Sequence, residues 1–174
     1  LALAESFPAP MGWTVLTPEL AEFVGLMTAD GYVPLRGTIQ FTNNNKSLRQ
    51  RVAKLWKQLF LGESYEWFGK SGWNPKEKVG QLNLKGVRSL CEWLHTQLYT
   101  SDGLKKVPPL ILNSNPDIQK SYLEGYYAGD GLKAGKGESI KTNSSVLAQG
   151  LNWLYANQDR TSSVYVEHRN GHTY

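Results

Sequence analysis

The sequence is poor in several things, and each shortage excludes something. One cysteine, Cys91, stands among 174 residues, so no internal disulfide can form, which fits an intracellular rather than a secreted protein. No apolar run reaches the roughly 18 residues that suggest a membrane span. The amino-terminal residues lack a basic region followed by an apolar stretch, so no secretory signal is expected. The histidines, His95, His168 and His172, lack metal-ligand spacing. Charge of one sign is only in modest excess: the net charge is +4 and the pI about 9.1, which suits a polyanionic partner without requiring one.

What remains is ordinary soluble composition, 40% hydrophobic and 20% charged, at a length for one domain or two small ones sharing a core. The aromatic residues, with 6 Trp and 9 Tyr, are numerous enough to serve both a core and a contact surface.

The informative signal is a long-period repeat. Phe23-Val-Gly-Leu-Met-Thr-Ala-Asp-Gly31 is echoed by Leu123-Glu-Gly-Tyr-Tyr-Ala-Gly-Asp-Gly131. Gly25, Asp30 and Gly31 return as Gly125, Asp130 and Gly131, and Thr42-Asn43 returns as Thr142-Asn143, all at an offset of 100 residues. Five shared positions in one register indicate a duplicated unit. A Trp-bearing apolar segment follows in both copies, around Trp56 and Trp153.

Each copy reads as α+β. Thr17-Pro18-Glu19 starts a helix, with Thr17 as N-cap and Pro18 at the first helical position; it is expected to run to about Ala29. Asn115-Pro116-Asp117 starts its counterpart, which is expected to reach about Gly129. Gly31 and Gly131 stand where left-handed caps would end the two helices. Strands are expected at Gly37 to Thr42, Tyr65 to Phe68 and Val79 to Leu84, and amphipathic helices at Leu48 to Leu61 and Val87 to Leu98. Lys105 to Pro109 reads as a linker. In the second copy Ser139 to Thr142 and Val164 to Glu167 read as strands, and Asn170-Gly171 as a hairpin turn. The sequence ends at Tyr174, three residues beyond that turn, so the second copy is expected to lack the closing strand and helix of the first. Cys91 falls on an apolar helix face and reads as core.

Gly25 with Ala29, and Gly125 with Gly129, place small residues at i, i+4 on one helical face. That spacing lets two helix backbones approach closely; a glycine-tolerant core helix is the alternative. Asp30 and Asp130 would then lie at the ends of neighbouring helices. A carboxylate at a helix C-terminus opposes the macrodipole by roughly 0.3–1 kcal/mol, and two of them repel each other. A single Asp-Gly would be read as a turn. The matched pair points instead to bound divalent cations, which reverse both penalties. Hard oxygen donors imply Mg²⁺ or a similar ion. Paired carboxylates suit metal-assisted phosphodiester hydrolysis, in which one ion activates water and another stabilises the leaving oxygen.

Both nine-residue motifs resemble the LAGLIDADG signature of DOD-type homing endonucleases. The resemblance runs from about Glu19 to Tyr174 and takes in Ile39-x-Phe-Thr-Asn43 and the Lys-Val-Pro ahead of the second motif. It implies two αββαββα halves about a pseudo-two-fold axis, with antiparallel sheets forming a saddle over a long double-stranded DNA site. Residues 17–109 would be the first half and 110–174 the second, incomplete half. The resemblance implies a monomeric, site-specific DNA endonuclease using Mg²⁺ or Mn²⁺. Asp30 and Asp130 would be catalytic metal ligands, helped by the carbonyls of Ala29 and Gly129. Thr28 and Ala128 replace the earlier acidic residue of the signature, and Tyr126 and Tyr127 make the second helix bulkier.

Intein-borne members carry a lysine before the second motif. Lys105 matches it best and Lys106 is the close alternative; such a lysine would polarise the nucleophile or stabilise developing charge, or be a solvated linker residue. Residues 1–16 resemble the opening of an intein, with Leu1 where a nucleophilic cysteine would stand. No terminal His-Asn is present, so protein splicing by this chain alone is not expected. DNA contacts are expected from strand and loop donors: Arg36, Gln40, Lys133, Lys136, Lys141 and Arg169. Arg and Gln can read base edges, while Lys mostly meets phosphate. A catalytically inactive DNA- or RNA-binding module of the same fold, a regulator or maturase, is the alternative function.

Overall fold

The computed structural model describes residues 6–9, 12–70, 78–86, 88–132, 139–169 and 172–173. A hairpin opens the chain, β1 (Ser6–Ala9) against β2 (Gly12–Val15). Helix α1 (Pro18–Asp30) begins as the sequence indicates: the Thr17 hydroxyl accepts from the Leu20 N–H at 3.2 Å and Pro18 follows the cap. Leu20, Ala21 and Phe23 to Thr28 are all buried, so α1 is a central helix covered on every side, not an amphipathic surface helix.

β3 (Gly31–Tyr32) and β4 (Ile39–Thr42) follow, then α2 (Lys46–Phe60), β5 (Ser64–Lys70), β6 (Lys78–Leu84) and α3 (Arg88–Leu98). The four strands form one antiparallel sheet in the order β3-β4-β6-β5. Ile39, Phe41, Leu82 and Leu84 are buried on one face. There Phe23, Trp56 and Phe60 make a ring cluster with centroids 4.8–5.8 Å apart. By alternation and register, Tyr32, Gln40, Asn83 and Tyr65 form one row on the opposite face, and Thr42, Gln81 and Trp67 the next. Cys91 is core, as expected.

A short helix, α4 (Pro109–Leu112), leads into α5 (Pro116–Asp130), whose N-cap Asn115 accepts from the Ile118 N–H at 3.1 Å. Then come β7 (Gly131–Leu132), β8 (Ser139–Ile140), α6 (Ser145–Asn157), β9 (His168–Arg169) and β10 (His172–Thr173). The first element series is thus αββαββα and the second αββαββ. β7 pairs with β8 and β9 with β10, each pair antiparallel. No helix among the described residues is long and apolar enough to cross a membrane.

Five expectations need correction. The second copy does not lack its closing strand: β10 pairs with β9. Gly31 and Gly131 are extended, with φ −84° and −66°, not left-handed. Each opens a strand, and a Cβ on either would strike the preceding helical turn at Met27 or Tyr127. Glycine is required there by space rather than by a positive φ. Val164 to Glu167 forms no strand: its alternation faces no partner, and Val164, Tyr165 and Val166 are 56–83% exposed. The strand read from Gly37 begins at Ile39, because Gly37 takes φ +118°. The 105–109 segment is no plain linker: Lys105 bridges to Tyr99, and Val107 is buried. Asn170 and Gly171 lie outside the described residues, although Arg169 and His172 on either side of them are paired.

Candidate active site and nucleic-acid interface

The site begins with the crossing of α1 and α5, which pack against each other along their length. Gly25 lies against the Tyr122 carbonyl and Gly125 against the Glu22 carbonyl, so closely that a Cβ on either would collide with backbone. The small face read from the sequence is therefore the helix contact. One turn further on, a Cβ on Gly129 would come within 2.6 Å of the Ala29 Cβ and 2.8 Å of Asp30 Oδ2. Gly129 thus lets the Asp30 carboxylate rest against the partner helix. The pairing brings the C-terminal ends of both helices, and both carboxylates, to one place.

Asp30 Oδ2 accepts from the Asn43 side-chain amide at 2.7 Å, and Asp130 Oδ2 accepts from the Tyr126 hydroxyl at 3.2 Å. Burial pushes the Asp130 carboxyl above the usual range, and the neighbouring Asp30 charge pushes it further. The Tyr126 hydrogen bond and the Lys105 charge oppose both effects. The Tyr126 phenol is itself raised, chiefly by burial and then by Asp130.

Lys105 completes the group. Its ammonium donates to the carbonyls of Met27 at 2.7 Å, Thr28 at 3.0 Å and Gly31 at 2.6 Å, and lies 5.2 Å from the Tyr99 ring centre. A cation on the last carbonyls of α1 is favourably placed against the helix dipole. Burial pulls its pKa down to about 8, against the pull of Asp130 and Asp30 in the other direction. Of the two candidate lysines, Lys105 is the one whose ammonium reaches α1. Thr28, Ala29, Lys105, Asp130, Lys141, Thr142, Asn143 and Leu147 line a common cleft.

The remaining candidates are dispersed. Lys141 reaches the cleft rim and pairs with Glu167 at 3.1 Å on the surface. Gln40 lies on the outer face of the four-stranded sheet, and Arg36 in the exposed 35–38 loop. Arg169 is in β9. Lys133 and Lys136 lie outside the described residues. Among the described residues no three His, Cys, Asp or Glu side chains gather into one ion-holding group.

Several residues of interest escaped the sequence reading. Tyr32, Tyr65, Trp67, Gln81 and Asn83 share the outer sheet face with Gln40, and Trp67 folds over Gly69, where a Cβ would collide with its ring. Polar or aromatic residues at i, i+2 in β5 and β6 were the available signal. Asn43 was visible only as part of the repeat, and Tyr126 only as bulk.

Residues 17–92 match the family model of the LAGLIDADG-like domain. The chain is 32% identical over 144 residues to an A-type ATP synthase subunit of Pyrococcus abyssi, covering 82% of this chain and 14% of that protein. It is 23% identical over 129 residues to glutamine–fructose-6-phosphate aminotransferase of Methanocaldococcus jannaschii, covering 71% and 11%. It is 26% identical over 164 residues to the ATP-dependent DNA helicase Hel308 of Thermococcus kodakarensis, covering 84% and 13%. The chain thus spans at most about one-seventh of the length of these relatives.

Among solved structures, mesophilic variants of the homing endonuclease I-DmoI superpose with TM-score 0.65 at 19% identity, over 91% of this chain and 87% of theirs. The homing endonuclease I-WcaI bound to its DNA recognition sequence gives 0.62 at 16%, over 92% and 76%. I-DmoI in complex with DNA and Mn gives 0.63 at 18%, over 91% and 88%. At these identities the likeness is one of fold: the chain has the α+β fold of the LAGLIDADG homing endonucleases.

Proposed function

We propose that this chain is a site-specific double-stranded DNA endonuclease of the LAGLIDADG type. Asp30 and Asp130 would hold its divalent cations, and residues 17–109 and 110–174 would be its two halves. The observation that carries this reading is the meeting of two motif-bearing helices at Gly25 and Gly125, which delivers Asp30, Asp130 and Lys105 to one region beside the cleft.

The donor set fits hard cations such as Mg²⁺ or Mn²⁺. Two carboxylates and the carbonyls of Ala29 and Gly129 would supply the protein ligands, and DNA phosphate and water the rest. When bound, such ions supply Lewis acidity and activate water at neutral pH. The chain's own residues do the positioning. α1 and α5 hold the carboxylates against an unfavourable dipole and mutual repulsion, both of which a cation relieves. The Lys105 ammonium keeps a fixed positive charge beside them, suited to a phosphate whose charge grows as the bond breaks.

The outer sheet face, with Gln40, Gln81, Tyr65 and Trp67, would contact the duplex, with Arg36, Lys141 and Arg169 as further donors. Both halves lie in one chain, which supports action as a monomer on an asymmetric site. The matched relatives are named for three unrelated activities, and each is matched over a small part of its length. That pattern supports a module carried inside different host proteins, as an intein-borne endonuclease would be, with residues 1–16 as intein-like sequence. The expected setting is intracellular, wherever the host DNA resides.

The test is cleavage of a randomised duplex library with Mg²⁺. Cutting at one long site is expected. Specific binding without cutting would replace this reading with that of an inactive binding module.

A further inference from the structure

The two carboxylates are held by different means. Asp30 takes a hydrogen bond from Asn43, a residue of the β4–α2 connection. The Asn43 amide cannot turn freely: its Oδ1 accepts from the Asn45 N–H at 2.7 Å, its backbone N–H donates to the Gly80 carbonyl at 3.0 Å, and its carbonyl accepts from Arg49 at 2.7 Å. Arg49 is itself 3% exposed. It also donates to the Asn44 carbonyl and to Glu66 Oε1, both at 3.1 Å, and lies 5.3 Å from the Phe68 ring centre. A Cβ on Gly80 would press on its guanidinium. Asp30 is therefore anchored, through Asn43 and Arg49, to β5 and β6 of the sheet.

Asp130 is tied within its own helix. The Tyr126 hydroxyl, one turn back, donates to it. The Tyr126 ring is fully buried and stacks on Tyr122 at 6.4 Å with a 9° interplanar angle, so the hydroxyl has little freedom. Neither arrangement is duplicated in full, although Asn43 itself returns as Asn143, which lines the cleft with Asp130. At the 100-residue offset Tyr126 corresponds to Leu26, which has no hydroxyl, and Arg49 corresponds to Gln149.

We propose that Asn43, locked by Arg49, and Tyr126 are separate positioning residues for Asp30 and Asp130, so that the two cuts in a duplex depend on different side chains. The inference rests on the endonuclease reading above. If each carboxylate serves the nearer scissile phosphate, loosening one disturbs one strand more than the other. Tyr126→Phe removes one oxygen and keeps the ring; Asn43→Ala removes the amide.

The experiment uses the full chain and the duplex recovered from the library, with a different fluorophore on each strand. Single-turnover cutting of each strand is followed in Mg²⁺. Tyr126→Phe is expected to slow one strand about tenfold and Asn43→Ala the other about tenfold, the usual loss when the support of a metal ligand is removed. Nicked duplex should accumulate with opposite labels in the two variants. Mn²⁺ titration of the protein–DNA complex, read by loss of the free-ion EPR signal, should show weakened uptake in both. Wild-type cutting with both variants slowing the same strand, or both strands equally, overturns the inference and leaves the endonuclease reading intact. A wild type that neither cuts nor takes up Mn²⁺ overturns both. Tyr126→Phe decides alone where Asn43→Ala does not fold: unequal slowing supports the inference, equal slowing overturns it.

Discussion

The Lys105 ammonium lies 2.7 Å from the carbonyl oxygen of Met27, a residue 78 positions earlier in the chain. The contact ties the connection between α3 and α4 to the end of α1 and sets the lysine's chemistry. Burial lowers its pKa to about 8. Nitrogen-15 NMR of the Nζ should therefore show an inflection near pH 8, moved lower still by Asp30→Asn or Asp130→Asn, since both carboxylates raise it. An inflection near the ordinary value of about 10.4 would contradict the buried placement. The sign for stability follows. The folded pKa lies below the unfolded one, so the native state holds fewer protons between them, and stability rises with pH across roughly 8 to 10.5. Relative to Lys105→Met, the gain is about 3 kcal/mol over that window, measurable from urea midpoints.

Gly125→Ala should destabilise the protein by about 2 kcal/mol, the usual order for overpacking a tight contact. Its new methyl meets the Glu22 carbonyl, which belongs to a helix backbone and has nowhere to move. Chemical denaturation checks this. A neutral or stabilising result, as for a glycine merely weakening a helix, would mean that the helices do not cross there.

Much of the fold was legible because its signals are local. Thr17-Pro18 and Asn115-Pro116 carry their cap chemistry in adjacent residues, and the two Asp-Gly pairs carry the repeat. The closeness of α1 and α5 was legible because small residues at i, i+4 state a steric fact. What escaped depends on distant partners. Gly31 looks like any helix-ending glycine until the Met27 backbone is seen beside it. The alternation of Val164 to Glu167 reads as a strand, yet a strand needs a neighbour. Lys105 in isolation reads equally well as solvated, and only folding brings three carbonyls to it. Tyr126 shows its hydroxyl's partner only once the ring is seen buried, although Asp130 stands four residues along.

Arg49→Leu should cost about 2 kcal/mol, because it removes the buried donor to the carbonyls of Asn43 and Asn44, while the exposed Glu66 turns to water. Thermal or urea unfolding measures it. A cost below about 0.5 kcal/mol, typical of surface changes, would contradict the structural role given to this side chain.

Trp67→Ala should weaken binding to the target duplex about tenfold, on the order of the loss when a contact tryptophan is truncated, while leaving the melting temperature nearly unchanged. The ring is 53% exposed on the outer sheet face, so its loss removes contact surface rather than core. Fluorescence anisotropy and thermal unfolding separate the two effects. A large fall in melting temperature with unaltered affinity would place the ring in packing alone.

The most direct test of the central claim is cleavage of duplex DNA in Mg²⁺ by the wild type, Asp30→Asn and Asp130→Asn, each shown to be folded. The expected result is cutting at one long site by the wild type and loss of cutting, with binding retained, in each variant. Undiminished cutting by either variant would contradict the assignment of Asp30 and Asp130 as the metal-holding pair.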